Sequence, residues 1–236
     1  MTGKLRYIRI LAPMRRSSRR QFLTVSAATI GGTLVYSLDR TPTRLHAQVR
    51  VIKVPLRFFT EEEALTIAAA AARIFPADQS GPGANEAAVV IYIDRQLGSA
   101  YGRDHYRYTQ PPFETGLPEQ GWQGKETPRE VYRIGLKTLS GFRLLDAAEQ
   151  DARLHQIENT PFFSLLRTHT IEGMFCDPMH GGNADMIGWQ LIGFPGPRMG
   201  YFEDVDQHYG TPFRPKPASL AQMLGRPVPP GEDTER

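Results

Sequence analysis

Two histidines and two carboxylates lie close together late in the chain, and side chains of these types could bind a metal ion. His169 and Glu172 are three residues apart, which places them on one face of a helix, and Asp177 and His180 follow within a dozen residues. No second Glu-x-x-His element is present to complete a di-iron bundle. One hypothesis is therefore a stand-alone helical enzyme that binds a metal through these four residues. Helix capping and surface hydrogen bonding are the alternative.

Cys176 lies within the same cluster and is the only cysteine of the chain. A lone cysteine in an exported protein either forms a bond to another chain or stays a free thiol. An intermolecular disulfide, a buried thiol and a nucleophile all remain open for it. The sequence has no Cys-x-x-Cys-His haem site, nucleophile elbow or dinucleotide fingerprint. It therefore offers no recognisable catalytic constellation besides the metal hypothesis.

We call residues 173–198 the docking segment. Its sequence, GMFCDPMHGGNADMIGWQLIGFPGPR, mixes turn formers with large apolar residues, which indicates a shaped surface. Adjacent glycines allow a tight backbone turn, and Trp189 and Phe194 would supply apolar anchors. We expect this surface to bind a partner protein. The predicted docking residues are Cys176, Pro178, His180, Gly181, Gly182, Asn183, Trp189 and Phe194.

Helix signals precede the docking segment and would position it. Thr60 and Glu63 form a capping box that opens a helix, which Pro76 ends. A second helix is predicted over 86–97, with Asn85 as its N-cap. Thr127-Pro128 opens a third, predicted to continue through Gly141 to about Glu149. A short polar helix or turn is predicted over 150–158, and a long apolar helix over 162–175.

Two stretches rich in aromatic or proline residues interrupt this helical pattern. Residues 101–125 form a long loop whose aromatic side chains pack on the chain's own core or face a partner. Residues 201–236 carry six prolines and are predicted to form an extended arm with one short helix over 219–224. The expected fold is mainly α: an irregular single helical domain over 48–200, followed by this arm.

The charge is unevenly distributed. Residues 1–47 hold nine of the 28 basic residues and one of the 25 acidic residues. The rest of the chain therefore has 19 basic and 24 acidic residues, and its net charge is near −5. No basic surface remains there to suggest nucleic-acid binding.

The N-terminus resembles a twin-arginine export signal. Arg19 and Arg20 are followed by Phe22 and Leu23 and then by a mildly apolar run over 25–38, too short for a membrane-spanning helix of about 20 residues. Ala47 marks the expected cleavage site. An uncleaved anchor or a chance basic patch before a core helix is the alternative. We expect residues 1–47 to direct the chain to the periplasm.

Several short motifs are similar to those of the gluconate 2-dehydrogenase subunit 3 family, the small subunit of membrane-associated FAD-dependent sugar dehydrogenases. The similarity covers about 56–198. The family usually has Tyr at the position of His180. The motifs are Phe59-Thr60, Arg73-Ile74-Phe75-Pro76, Pro178-Met179-His180-Gly181-Gly182-Asn183, Gly188-Trp189 and Pro195-Gly196.

This resemblance implies a non-catalytic subunit with no cofactor of its own. In such complexes a large subunit carries FAD and oxidises the sugar or polyol, and a multihaem cytochrome c subunit passes the electrons on. The small subunit supports folding and export of the large one. For Cys176 we predict a disulfide to the large subunit. The metal-binding hypothesis, placed in the periplasm by the signal, remains the rival.

Overall fold

The computed structural model describes residues 6–8, 54–107, 111–114, 116–120, 124–198, 200, 202–213 and 215–226. The predicted mainly α fold is confirmed. The strands are β1 (Arg6–Ile8) and β2 (Val54–Leu56), and the helices are α1 (Glu61–Ile74), α2 (Val89–Gly98), α3 (Pro128–Thr138), α4 (Ala147–Gln156), α5 (Pro161–Phe175), α6 (Ile187–Ile192), α7 (Phe202–His208) and α8 (Leu220–Met223).

The predicted export signal lies outside the described residues except for β1. This strand pairs antiparallel with β2, with Arg6 opposite Leu56 and Ile8 opposite Val54. Among the described residues, no helix combines the length and the apolar content that crossing a bilayer requires.

The starts of α1 and α3 agree with the prediction. The Thr60 hydroxyl accepts from the backbone N–H of Glu63, and the Glu63 carboxylate accepts from the backbone N–H of Thr60 at 2.8 Å. Thr127 and Glu130 repeat this arrangement at the start of α3. Each box satisfies two amide groups that the first helical turn leaves without intrahelical partners.

The predicted continuation of α3 to Glu149 is wrong. The helix ends at Thr138, and Gly141 takes a left-handed conformation with φ of 72°. Asp146 then forms a capping box of its own with Glu149 and starts α4, a separate helix. Gly141 therefore separates two helices, because glycine adopts positive φ without the steric cost that other residues carry.

Helix α2 is the centre of the domain and packs against α1 and α5. It begins at Val89, three residues later than predicted, because Ala88 has φ of 54° and interrupts the helical conformation. Most of its side chains are buried, including a carboxylate, Asp94. Helices α3 and α5 also approach closely, since a Cβ placed on Gly135 would lie 2.0 Å from the Phe162 ring.

Part of the predicted C-terminal arm is helical. It contains α7, which the sequence analysis missed, and α8, which matches the helix predicted over 219–224. The backbone N–H of Ala218 donates to the Pro195 carbonyl at 3.2 Å. The chain therefore leaves the docking segment and returns to it before α8 begins. Residues 227–236, the expected end of the arm, lie outside the described residues.

Candidate functional site

His169, the first residue of the predicted metal site, is buried between two tyrosines. The Tyr101 hydroxyl lies 3.0 Å from its Nε2 atom, and the Tyr132 hydroxyl lies 3.0 Å from its Nδ1 atom. Burial lowers the pKa of His169 to about 4, so the imidazole is neutral near pH 7. A neutral ring has one N–H and one bare nitrogen, so one hydroxyl accepts and the other donates. Both ring nitrogens are thus engaged within the core.

The other three residues of that hypothesis have separate surroundings. Glu172 accepts a hydrogen bond from the Tyr92 hydroxyl at 2.9 Å. Asp177 accepts from the backbone N–H groups of Met179 and Leu220, while His180 is exposed. No group of three His, Cys, Asp or Glu side chains in the described part of the chain could hold a metal ion. The structure therefore does not assemble the four residues as the metalloenzyme hypothesis requires.

Cys176 caps the C-terminal end of α5 and is partly exposed. Its Sγ lies 3.8 Å from the Gly173 carbonyl. Burial, the largest cause, raises the pKa of the thiol to about 12, and the nearby carboxylate of Asp177 acts in the same direction. A catalytic nucleophile needs a lowered thiol pKa, because the thiolate is the reactive form. The surroundings of Cys176 therefore do not suit nucleophilic catalysis.

Asn183 holds the docking segment together from inside. Its side chain is fully buried. The amide nitrogen donates to the Cys176 carbonyl at 2.9 Å, and the amide oxygen accepts from the Gly188 N–H at 2.8 Å. Its backbone N–H donates to the Gly173 carbonyl at 2.7 Å. Asn183 thus joins the end of α5 to the start of α6, and it is not a surface contact residue in this conformation.

Three more of the predicted docking residues are buried as well. Pro178 and Gly182 are covered, and Trp189 is 3% exposed with its indole N–H donating to the Phe175 carbonyl at 2.7 Å. A Cβ on Gly182 would lie 2.2 Å from the Gly173 carbonyl oxygen, so glycine permits the close approach of the turn to α5. Like Asn183, these residues support the docking segment from its buried side.

The other four predicted docking residues reach the surface. His180 and Phe194 are exposed, and Cys176 and Gly181 are partly exposed. Phe194 packs against Trp189 with the ring centroids 5.2 Å apart, so a buried aromatic ring supports an exposed one. The predicted docking set therefore separates into a supporting half and an accessible half.

Exposed apolar side chains continue from the docking segment into α8. The two parts are joined where Asp177 accepts from the Leu220 N–H at 2.7 Å. Exposed apolar side chains at contiguous positions are typical of protein interaction sites. The exposed apolar residues of these two parts are Met179, Leu191, Ile192, Phe194, Leu220, Met223 and Leu224.

The backbone of the docking segment is strained next to Asn183. Asn183, Asp185 and Met186 have φ of 47°, 55° and 55°. Positive φ is costly for residues other than glycine, least so for Asn and Asp, and persists only where surrounding contacts enforce it. The three residues follow one another closely, so the hydrogen bonds of Asn183 have to hold this conformation in place.

The model of the family described as gluconate 2-dehydrogenase subunit 3 matches residues 61–196. This range is more than half of the 236 residues. The chain belongs to the gluconate 2-dehydrogenase subunit 3 family. The matched range runs from the start of α1 to Gly196, two residues before the end of the docking segment. The match therefore covers helices α1 to α6 and nearly all of the docking segment. Neither the curated proteins nor the solved structures gave a significant match.

Two features of this region were not found from the sequence. One is the tyrosine environment of His169, because Tyr101 and Tyr132 come from distant parts of the chain. The other is Arg95, whose guanidinium lies against the turn at Gly181. A signal for it exists: Asp94 and Arg95 are consecutive charges in a helix that is otherwise mainly apolar.

Proposed function

We propose that the chain is the non-catalytic small subunit of a periplasmic FAD-dependent dehydrogenase complex. The observation that carries this proposal is the family match, which spans helices α1 to α6 and nearly all of the docking segment. In the proposed complex the large subunit binds FAD and oxidises a sugar or sugar acid. Electrons then pass to an acceptor, and a multihaem cytochrome c subunit is a further proposed partner. Membrane association would occur through the complex.

The accessible half of the docking segment and the exposed face of α8 support a role in binding the large subunit. Phe194 is 37% exposed and Ile192 is 59% exposed, although both follow a tightly hydrogen-bonded structure. Solvent-exposed apolar groups on a rigid support favour association, because burying them in an interface removes apolar surface from water. We propose that this surface binds the flavoprotein.

The second part of the proposal concerns export. The twin-arginine route carries folded proteins, so a signal on this chain could export a large subunit that has no signal of its own. Arg19 and Arg20 would be read by the export machinery while the docking segment holds the partner. The chain would thereby couple folding of the flavoprotein to its export.

A gene deletion tests both parts. Without this chain, the flavoprotein of the proposed complex should be degraded or remain in the cytoplasm, and periplasmic dehydrogenase activity should be lost. Complementation with the wild-type gene should restore the activity. A matched variant, Arg19→Lys with Arg20→Lys, keeps the charge of the signal and should leave an active complex in the cytoplasm. Normal periplasmic activity in the deletion strain would contradict the proposal.

We also propose that Cys176 forms a disulfide with the large subunit. The residue is partly exposed, and the raised pKa of its thiol does not favour catalysis. Non-reducing electrophoresis of the periplasmic complex should give a heterodimer band that disappears in Cys176→Ser. A complex that contains no such band in the wild type would mean that Cys176 stays a free thiol.

A further inference from the structure

Two adjacent charged residues of α2, Asp94 and Arg95, differ in their hydrogen-bond partners. Asp94 is 2% exposed, and its carboxylate accepts from the backbone N–H groups of Arg57, Phe58 and Phe59 at 2.7, 3.0 and 2.9 Å. Arg95 is only partly exposed, yet its guanidinium makes no hydrogen bond or ion pair with any described residue. The nearest carboxylate in sequence, Asp94, is already occupied by three amides.

The guanidinium of Arg95 lies at the rim of the docking segment. A Cβ placed on Gly181 would be 2.6 Å from its Nη1 atom and 2.9 Å from its Cζ atom. Gly181 has φ of 101°, so the turn both needs glycine for its backbone and leaves the room that the guanidinium occupies. Arg95 is also close enough to Cys176 to interact electrostatically with its thiol group. Arg95, Gly181 and Cys176 therefore form one patch.

The electrostatic surroundings of Arg95 are unfavourable in the isolated chain. Burial lowers the pKa of its guanidinium, and the nearby charge of Arg57 lowers it further. Arg57 is exposed, and its side chain likewise has no hydrogen bond or ion pair with the described residues. Partly desolvated cations are costly unless an anion offsets the lost hydration. The charge of Asp94 acts in the opposite direction, towards a higher pKa. Even so, neither arginine side chain forms an ion pair with a described residue.

We propose that Arg95, assisted by Arg57, binds a carboxylate side chain of the large flavoprotein subunit when the docking segment contacts it. This inference rests on the proposed function and adds the chemistry of one contact. A carboxylate matches the fork of N–H donors that a guanidinium presents. The partner is a protein surface because the patch includes part of the docking segment, in which Met179 is exposed. Contact there would exclude water from the ion pair.

The positive charges of Arg57 and Arg95 would also orient the partner. Outside residues 1–47 the sequence has a net charge near −5, whereas Arg57 and Arg95 place two positive charges close to each other. Complementary charges fix the register of an interface and raise the rate of association, whereas apolar contacts alone are less directional. An acidic residue on the flavoprotein would align the segment against it.

The test uses the full chain, tagged and co-expressed with the flavoprotein of the proposed complex. Captured complexes are washed with increasing NaCl, and the flavoprotein retained is measured. Arg95→Met should weaken binding by about tenfold or more, and Arg95→Lys should be intermediate because it keeps the charge but loses the fork. The matched control is Arg167→Met, which removes an exposed arginine of α5 that also lacks a hydrogen bond or ion pair within the described residues.

The outcomes separate this inference from the proposed function. If the wild-type chain captures no flavoprotein, the proposed function fails and this inference fails with it. If the wild type captures it and Arg95→Met behaves as Arg167→Met does, only the inference is overturned.

The melting temperature of each purified chain distinguishes docking from a structural role. Arg95→Met should melt at the wild-type temperature or above it, since the variant loses an unpaired charge. A drop of several degrees that accounts for the weaker capture would overturn the inference. Should Arg95→Met not fold, the same comparison is made with Arg95→Gln, which keeps polar donors at this position.

Discussion

The helical core and the rim of the docking segment, where Arg95 lies, differ in how polar groups removed from water are paired. In the core, Asp94 accepts three backbone amides and His169 bonds two tyrosines. At the rim, Arg95 has no hydrogen bond or ion pair among the described residues. Satisfied buried groups specify a fold, whereas an unsatisfied one costs free energy that a partner can recover.

Because of this difference, substitutions in the two regions should have separate effects on the stability of the free chain and on assembly of the complex. Substitutions that remove a satisfied core group should unfold the free chain, and their effect on the complex should follow from that loss. Substitutions at the rim should leave the free chain folded and weaken only the complex. The contrast between the two regions therefore predicts two classes of variant with different readouts.

The largest effect on stability is expected for Asp94→Ala. The change would leave the amides of Arg57, Phe58 and Phe59 without their acceptor, and a buried unsatisfied group costs about 1–3 kcal/mol. We expect a loss of about 4 kcal/mol in the free energy of unfolding, measured by urea denaturation. Glu114→Ala, which alters an exposed acid, is the control and should change stability by less than about 0.5 kcal/mol. Equal values for the two variants would contradict the role of Asp94.

The pH dependence of stability tests the His169 site. Burial lowers the folded-state pKa of His169 from 6.5 to about 4, so between these values the unfolded chain binds the proton and the folded chain does not. The contribution is fully present above about pH 6.5 and is lost as the pH falls towards 4, by on the order of 3 kcal/mol. In His169→Gln this part of the pH dependence should vanish. If the free energy of unfolding changes with pH in the same way in the wild type and the variant, His169 is not the cause of this pH dependence.

The smallest effect on stability is expected at the exposed apolar surface. Ile192→Ser should change the free energy of unfolding by no more than about 0.5 kcal/mol, since the side chain is mostly in solvent. It should nevertheless reduce capture of the flavoprotein several-fold, because interface burial of the side chain is lost. A stable variant with unaltered capture would mean that this face lies outside the interface. Arg95 would then be the remaining proposed contact with the flavoprotein.

Local signals predicted the helix starts well. The capping boxes at Thr60 and Thr127 depend on residues three apart, and such contacts are visible in the sequence. The end of α3 was missed because Gly141 reads as a modest interruption, and only the structure reveals its positive φ and the separate cap at Asp146. The start of α2 was misplaced for a similar reason, since nothing in the sequence marks Ala88 as left-handed.

Long-range contacts explain what could not be predicted for the site. The spacing of His169 and Glu172 correctly places both on α5 but does not reveal that Tyr92, Tyr101 and Tyr132 come from elsewhere to bond them. The turn formers of the docking segment were recognised, whereas the inward orientation of Asn183 and Trp189 depends on α5 beneath them. Sequence patterns gave the location of the segment, and packing decided which of its residues reach solvent.

The hydrogen bond from Ala218 to Pro195 closes the stretch between them into a loop whose two ends lie at one point of the domain. The family match stops at residue 196, where this loop starts. Because the entropy of closing a loop grows only slowly with its length, by about 0.6 kcal/mol for each doubling, such a stretch can be lengthened, shortened or exchanged while the helices stay as they are. The closed neck therefore allows the length of this loop to change at small cost to the domain that carries it.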